Sequence, residues 1–178
     1  MTFDFEWLPL LGARFVYPSA GGLTVLMLES GFRETRLVRY FGESRSTAGL
    51  GFAPEVLAGT VAQLRRIAES RPRLKVRNAL VVFARNAETR PAEEDRELFW
   101  EVFGVPIFEQ YLNRRNRLIA SECDAHEGLH VRSATAWRPG WHLEKALCPC
   151  GDPRPRLMPG RPEAIPGVGR LYEQESRA

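Results

Sequence analysis

Apolar and polar positions alternate along the chain in a way that predicts short strands separated by helices and turns. Ala79 to Phe83 is a continuous apolar run, which is typical of a strand covered on both faces. Leu23 to Leu28 is also apolar and fits either a buried strand or a short helix, which periodicity cannot separate. Ala13 to Tyr17 reads as a strand, and Val105 to Phe108 begins a later extended segment.

Two segments carry the three- and four-residue apolar spacing of an amphipathic helix. The first runs from Pro54 to Ser70, with proline in its first turn. Its apolar positions are Val56, Leu57, Val61, Leu64, Ile67 and Ala68. The second runs from about Pro91 to Phe103, begins with three acidic residues that suit a helix N-terminus, and ends at Gly104.

The order strand, helix, strand, helix, strand predicts an α/β core in the first two thirds of the chain. Beyond Asn116 the pattern changes to short strands, predicted at Leu118 to Glu122, Leu129 to Ser133 and Thr135 to Trp137. We expect one α/β domain over residues 1–150 and a partly irregular tail rich in Pro, Gly and Arg over residues 151–178.

Charge argues against a nucleic-acid partner. The formal net charge of the 178 residues is +3, and the 25 Lys and Arg are nearly matched by 22 Asp and Glu. The densest basic stretch, Asn113 to Arg117, is short and reads as a turn, whereas nucleic-acid binders carry a basic stripe with aromatic residues set into it.

The sequence has no apolar run near the roughly 18 residues that a membrane span needs. Its N-terminus is acidic and aromatic rather than basic and apolar, so we expect no signal peptide and a cytoplasmic location. In that compartment three cysteines predict free thiols or a metal site rather than disulfides.

All three cysteines and all three histidines lie between Cys123 and Cys150. Thiolate and imidazole ligands in one short window suit tetrahedral Zn²⁺, and the segment Cys148-Pro149-Cys150-Gly151 resembles a metal knuckle. The favoured ligand set joins one histidine to the three cysteines, with a second histidine as the alternative: Cys123, His126, Cys148 and Cys150, or His130 in place of His126. Four protein ligands predict a structural zinc.

A rival hypothesis uses the same residues. His126-Glu127-Gly128-Leu129-His130 matches the His-Glu-x-x-His signature of zinc-dependent hydrolases. That chemistry needs a helix, and an open zinc position would make Cys123, Glu127 and His130 candidate catalytic groups. Gly128 interrupts the motif and the residues after it look extended, so the hydrolase stays an alternative.

Several stretches resemble the phenylacetate–CoA ligase branch of the adenylate-forming enzymes. They are Phe103-Gly104-Val105-Pro106-Ile107-Phe108-Glu109-Gln110-Tyr111, Leu118-Ile119-Ala120-Ser121-Glu122-Cys123, His126-Glu127-Gly128-Leu129-His130-Val131 and Cys148-Pro149-Cys150-Gly151-Asp152-Pro153-Arg154-Pro155-Arg156-Leu157. The resemblance implies a shortened adenylate-forming core with a zinc clasp in its β-rich C-terminal part. It also implies that Tyr111 marks the position of a residual adenine site.

The departures from that family bear on catalysis. Leu112-Asn113-Arg114-Arg115 follows Tyr111 where the family has Gly-x-Thr-Glu. We also expect no counterpart here of the family's phosphate loop, ribose-binding aspartate and catalytic lysine. Losing one donor to the transferring phosphate typically costs on the order of 10²–10³ in rate. We therefore expect a truncated relative with no catalytic residue.

Three functional hypotheses follow. The favoured one is a zinc-binding accessory protein, with a protein partner or a small aryl or acyl ligand. The second is an AMP-forming acyl- or aryl-CoA ligase component completed by another chain, or the zinc-dependent hydrolase. The third is a plain zinc-stabilised domain that docks a partner through aromatic anchors such as Trp100.

Overall fold

A continuous mixed sheet organises the part of the chain that the computed structural model describes, which is residue 16 and residues 22–41, 54–70, 74–133 and 141–159. Within it the strand order is β2-β1-β3-β4-β5-β6-β7-β9-β8. The strands are β1 (Val25–Met27), β2 (Val38–Tyr40), β3 (Val56–Thr60), β4 (Ala79–Ala84), β5 (Ile107–Leu112), β6 (Leu118–Glu122), β7 (Leu129–Val131), β8 (Trp141–Glu144) and β9 (Arg156–Pro159). The helices are α1 (Val61–Glu69) and α2 (Glu93–Phe103).

Strands β1 to β5 are all parallel and, with α1 and α2, form what we call the parallel half. Both helices pack on one face of the sheet and contact each other. The predicted α/β core is therefore confirmed. Its buried side chains on the helical face are Leu26, Leu28, Phe41, Leu57, Leu64, Ala68, Val76, Leu80, Val82, Phe99, Val105 and Ile107.

The first predicted helix begins too early. Residues Val56–Thr60 form β3, and α1 starts only at Val61. The apolar residues at the start of that segment are fully buried because β3 pairs with β1 on one side and β4 on the other. Thr60 then caps the helix, because its hydroxyl accepts from the N–H of Gln63 while the Gln63 side chain accepts from the N–H of Thr60.

The second helix agrees with the sequence prediction. It covers Glu93–Phe103, and Gly104 follows in the left-handed conformation with φ 62°. Glycine adopts this conformation without the steric cost that a Cβ brings, so it ends the helix cleanly.

Strands β6 to β9 and their connecting loops form the antiparallel half, in which every neighbouring pair is antiparallel. The β5–β6 hairpin joins the two halves. The sheet continues past residue 150, because β9 lies between β7 and β8. The predicted strand at Ala13 to Tyr17, apart from Val16, lies outside the described residues, as do the predicted strand at Thr135 to Trp137 and most of the predicted tail.

Candidate metal centre

Four side chains of the antiparallel half bring soft donor atoms together. Cys123 directly follows β6, His130 lies on β7, and Cys148 and Cys150 lie in the loop between β8 and β9. Their ligand atoms all lie within 4.8 Å of one another. The Cys123 and Cys148 sulfurs are 3.6 Å apart, and the Cys150 sulfur is 3.2 Å from His130 Nε2. The four residues are close enough to bind one metal ion.

A tight turn after β6 sets the position of His130. The N–H of His126 donates to the Cys123 carbonyl at 2.9 Å, and His126 itself has φ 52°. Gly128 has φ 80°, and a Cβ there would lie 2.9 Å from the Leu157 carbonyl oxygen. This reversal returns the chain to the sheet, where His130 pairs with Ser121 of β6.

Each cysteine sulfur accepts a backbone hydrogen bond from the residue two positions further on. The donors are the N–H groups of Ala125 to Cys123, Cys150 to Cys148 and Asp152 to Cys150. The N–H of Gly151 also donates to the Cys148 carbonyl at 2.9 Å, which closes the Cys-Pro-Cys-Gly turn. Such bonds stabilise thiolates, and thiolate is the form of cysteine that binds metal.

The imidazole of His130 is held with one nitrogen facing the sulfurs. Its Nδ1 lies 3.1 Å from the Arg154 carbonyl oxygen, which can only accept, so Nδ1 carries the proton. The lone pair of Nε2 then faces the Cys150 sulfur, 3.2 Å away. A hydrogen bond from the ring nitrogen that does not bind the metal is the usual way in which proteins orient a metal-binding histidine.

Three arginines lie within electrostatic reach of the thiols. Burial raises the pKa of the Cys123 thiol to about 12. Burial acts in the same direction on Cys148, but hydrogen bonds from the Cys150 backbone and from neighbouring thiols, with the charge of Arg156, bring its pKa below the ordinary value. Arg132 and Arg154 also lie within electrostatic reach of the cysteines. A metal ion would add the positive charge that lets the remaining thiols ionise.

His126, the histidine of the favoured set, does not join the cluster. Its left-handed backbone turns the ring toward Glu122, whose carboxylate lies 3.2 Å from Nδ1, and stacks the ring on Phe108 at 5.1 Å. The side chain is 43% exposed. His130, the alternative, lies in the cluster and is fully buried. The third histidine, His142, is exposed on β8.

The geometry that a zinc hydrolase of the His-Glu-x-x-His type needs is missing. The segment from His126 to His130 is a turn followed by a strand, so its two histidines do not share a helical face. The Glu127 carboxylate pairs with Arg156 at 2.9 Å and does not face a common metal position with both rings. His126 and Gly128 both have a positive φ, which is incompatible with the helix that the His-Glu-x-x-His motif needs.

Tyr111, the position of the expected adenine site, is buried in β5. Its ring packs edge to face against Trp141, with the centroids 6.0 Å apart. The Arg90 guanidinium lies over the Trp141 ring, 4.5 Å from its centroid. The tyrosine thus belongs to the packing of the antiparallel half.

A buried charge network lies beside the cluster and had no signal in the sequence. Glu109 is fully buried on β5 and accepts two hydrogen bonds from Arg90, at 2.7 and 2.9 Å. Arg96 lies 3.6 Å from both Glu109 and Glu122. Apolar periodicity predicts none of these contacts, because they join residues from β5, β6, α2 and the segment before α2.

The described residues form a mixed α/β protein with a cysteine–histidine cluster. Its fold is similar to part of the fold of an adenylate-forming enzyme. The particular similarity is to an open conformation of 2-hydroxyisobutyryl-CoA ligase in complex with 2-HIB-AMP and CoA. The TM-score is 0.53 at 14% sequence identity, and the match covers 78% of this chain and 44% of the ligase chain. This chain therefore spans less than half the length of the ligase, and the likeness concerns the fold alone.

A scan against protein-family models finds no match, and a search of curated proteins finds none either. Among the described residues, no helix is long and apolar enough to cross a bilayer.

Proposed function

We propose that this protein is a zinc-binding, non-catalytic relative of the phenylacetate–CoA ligase branch of adenylate-forming enzymes, acting in the cytoplasm as an accessory or ligand-binding protein. The observation that carries the proposal is the meeting of Cys123, His130, Cys148 and Cys150 within 4.8 Å. Three sulfurs and one imidazole nitrogen are the soft donors that tetrahedral zinc prefers.

A structural role suits this zinc better than a catalytic one. Four protein donors fill a tetrahedral shell and leave no position for water or substrate. His130 and Cys148 are buried, which further limits access to the ion. On this proposal the zinc ties the end of β6 to the loop before β9, which lie far apart along the chain.

The absence of catalysis is supported by the end of β5 and the turn that follows it. Tyr111 packs against Trp141, and the residues that follow are Leu112-Asn113-Arg114-Arg115, without the threonine and glutamate of the family. A protein partner is the other part of the proposal. Trp100 on α2 is 60% exposed and Leu147 is 74% exposed, and large apolar side chains of this kind can anchor a partner.

Metal analysis tests the zinc directly. Protein purified without a polyhistidine tag should contain about one zinc per chain. His130→Ala should lose most of this zinc, whereas His126→Ala, a matched histidine three residues from Cys123, should keep it. Zinc-free wild-type protein, or loss of zinc in His126→Ala alone, would contradict the proposed ligand set.

The runner-up function is an AMP-forming CoA ligase component completed by another chain, which the similarity to a CoA ligase favours. An assay of AMP formation with ATP, Mg²⁺, CoA and a panel of aryl and short acyl acids separates the two functions. We expect no AMP above the background of Cys148→Ser. Acid-dependent AMP formation, alone or with added partner protein, would overturn the non-catalytic assignment.

A further inference from the structure

The three cysteines of the metal cluster differ in their access to solvent. Cys148 is buried and Cys123 is partly buried, whereas Cys150 is exposed in the loop between β8 and β9. The susceptibility of a cysteine to oxidation follows its exposure and its thiolate character. Cys150 is therefore the cysteine of the cluster that an oxidant dissolved in water contacts first.

Hydrogen-bond donors and cationic groups lie around the exposed sulfur. The N–H of Asp152 donates to the Cys150 sulfur at 3.5 Å. Arg132 and Arg154 lie within electrostatic reach of the same sulfur, and Arg154 is held there by the Asp152 carboxylate at 2.9 and 3.0 Å. Reactive cysteines occupy partly exposed, electropositive surroundings of this kind. A guanidinium group can also donate a hydrogen bond to the oxygen that leaves when a thiolate attacks a peroxide.

A second sulfur lies close enough to complete a disulfide with Cys150. The ligand atoms of the cluster all lie within 4.8 Å of one another, and the Cys123 thiol contacts the sulfurs of both Cys148 and Cys150. A Cys148–Cys150 disulfide would close a ring over Pro149 alone, whose fixed φ leaves little freedom to reach the geometry of an unstrained bond. Cys123 comes from the end of β6, a separate segment, and is therefore the favoured partner.

We infer that Cys150 is a modification site for peroxides, and that its oxidation leads to a Cys123–Cys150 disulfide that releases the metal. The Cys150 sulfur attacks one oxygen of hydrogen peroxide: an S–O bond forms, the O–O bond breaks, and the other oxygen leaves as hydroxide. The Cys123 sulfur then attacks the resulting sulfenic acid: an S–S bond forms, the S–O bond breaks, and hydroxide leaves again. Overall the two thiolates lose two electrons, and the peroxide, with two protons from water, becomes two water molecules.

The disulfide removes two of the four soft donors of the cluster. His130 and Cys148 remain, and two ligands do not complete the tetrahedral shell of a structural zinc. The new bond joins the end of β6 to the loop before β9, the same two segments that the metal links. The release step rests on the proposed zinc site, whereas the disulfide step depends on the sulfur positions alone. Disulfides of cytoplasmic proteins are usually transient and redox-sensing, as this one would be.

Titration of the untagged protein with hydrogen peroxide tests both steps. Released zinc is followed with a weak chromogenic chelator, and the disulfide is identified by mass spectrometry of peptides from non-reduced protein. We expect about one zinc to be released for each disulfide formed, with the linkage between Cys123 and Cys150. Dithiothreitol with added zinc should restore both the thiols and the bound metal.

Three serine variants separate the roles of the sulfurs. Cys150→Ser should slow oxidation of the remaining thiols at least about tenfold, because they are buried or partly buried. Cys123→Ser should stop at the sulfenic acid of Cys150, which dimedone traps as an adduct of defined mass. Cys148→Ser is the comparison variant: it loses one metal ligand but keeps both reacting sulfurs, so it should still form the disulfide and release less zinc.

Peptide mapping of the wild type decides the inference even if a variant fails to fold. Any other pairing of the three cysteines, oxidation of Cys150 without a disulfide, or an unchanged oxidation rate in Cys150→Ser would overturn it. Failure of the proposed zinc site is distinguishable from failure of the inference. A Cys123–Cys150 disulfide formed in protein that contains no zinc would support the modification site and contradict the proposed function alone.

Discussion

The two halves of the sheet are stabilised in different ways. In the parallel half, all six residues of β4 are buried and all are apolar, and the helices add further apolar side chains on one face. In the antiparallel half, buried positions include His130, Arg156 and Glu122, and the cysteines of the cluster lie beside them. Apolar burial needs no partner of matched chemistry, whereas each buried polar group needs one.

This difference predicts that the halves respond unequally to the loss of polar partners. Arg156 illustrates the point, because it is buried on β9 and donates to the carboxylates of both Glu127 and Glu144. Its Nε has no hydrogen-bond partner among the described residues and is the kind of buried orphan that makes a region sensitive to change. In the parallel half the Arg65–Asp95 pair also has a buried carboxylate, but its arginine side chain is 48% exposed.

Metal removal should have the largest effect. Binding free energies of roughly 10–16 kcal/mol are measured for structural zinc in small peptides, so a chelator should unfold the region that depends on the metal. We expect residues 118–133 and 141–159 to lose protection in hydrogen–deuterium exchange, while β3, β4 and α1 stay protected longer. A dialysed sample with zinc restored is the control. Equal loss of protection in both halves, or none, would contradict the contrast.

Glu109→Gln should have the next largest effect. The change removes a fully buried charge that holds Arg90 with two hydrogen bonds. Breaking a buried pair typically costs about 3–5 kcal/mol. We expect the lower end, because the Arg90 side chain is 25% exposed and keeps its contact with Trp141. Urea unfolding measures the change.

The matched control for Glu109 is Glu101→Gln, at an exposed position of α2. Surface changes of this kind usually stay within about 0.5 kcal/mol. If both variants shift the midpoint alike, the buried network contributes no more than a surface charge, and the boundary between the two halves at β5 does not depend on it.

Much of the parallel half could be predicted from the sequence because its signals are local. The apolar run of β4 and the acidic start and glycine end of α2 each lie within a dozen residues. The error at β3 shows the limit of such signals. Val56 and Leu57 fit a helical spacing, but the pairing of β3 with β1 and β4, which no local pattern reveals, makes them a strand.

The candidate site was predictable in composition but not in the choice of histidine. The cysteines and histidines cluster in the sequence, and the three cysteines meet in the structure. Spacing favoured His126 because it follows Cys123 closely. The left-handed backbone of His126 turns its ring toward Glu122, and the register of β7 with β6 carries His130 to the sulfurs instead. Both facts depend on the turn geometry and not on residue type.

Two glycines, one near the end of α2 and one in the turn before β7, give variants with intermediate expected losses of stability. Gly128→Ala should cost about 2–3 kcal/mol, since it combines a left-handed φ with a Cβ that meets the Leu157 carbonyl and the Met158 sulfur. Gly104→Ala, with φ 62° and nothing within 4 Å of the added Cβ, should cost only about 1 kcal/mol. Thermal unfolding and zinc content are measured on both.

Only the Gly128 change should also reduce zinc content, because Gly128 shapes the turn between Cys123 and His130. Equal destabilisation of the two variants would mean that the turn adapts easily, and zinc loss in Gly104→Ala would mean that the end of α2 is coupled to the cluster.

The smallest predicted effect lies in the parallel half, at the start of α1. Thr60→Ala removes the hydroxyl that accepts from the N–H of Gln63, and losing such a cap typically costs about 1 kcal/mol. Thr60→Ser keeps the hydroxyl and should lie close to the wild type. Urea unfolding followed by circular dichroism measures both variants.

Zinc content shows whether the loss of the α1 cap also affects the metal cluster. The cap lies in the parallel half, and its polar contacts join Thr60 and Gln63 to the Leu28 carbonyl rather than to the antiparallel half. Thr60→Ala should therefore lower the free energy of unfolding and leave zinc binding intact, whereas His130→Ala should lose zinc as well as stability. If Thr60→Ala also releases zinc under native conditions, the two halves open together, and the sheet behaves as one cooperative unit in spite of its two kinds of interior.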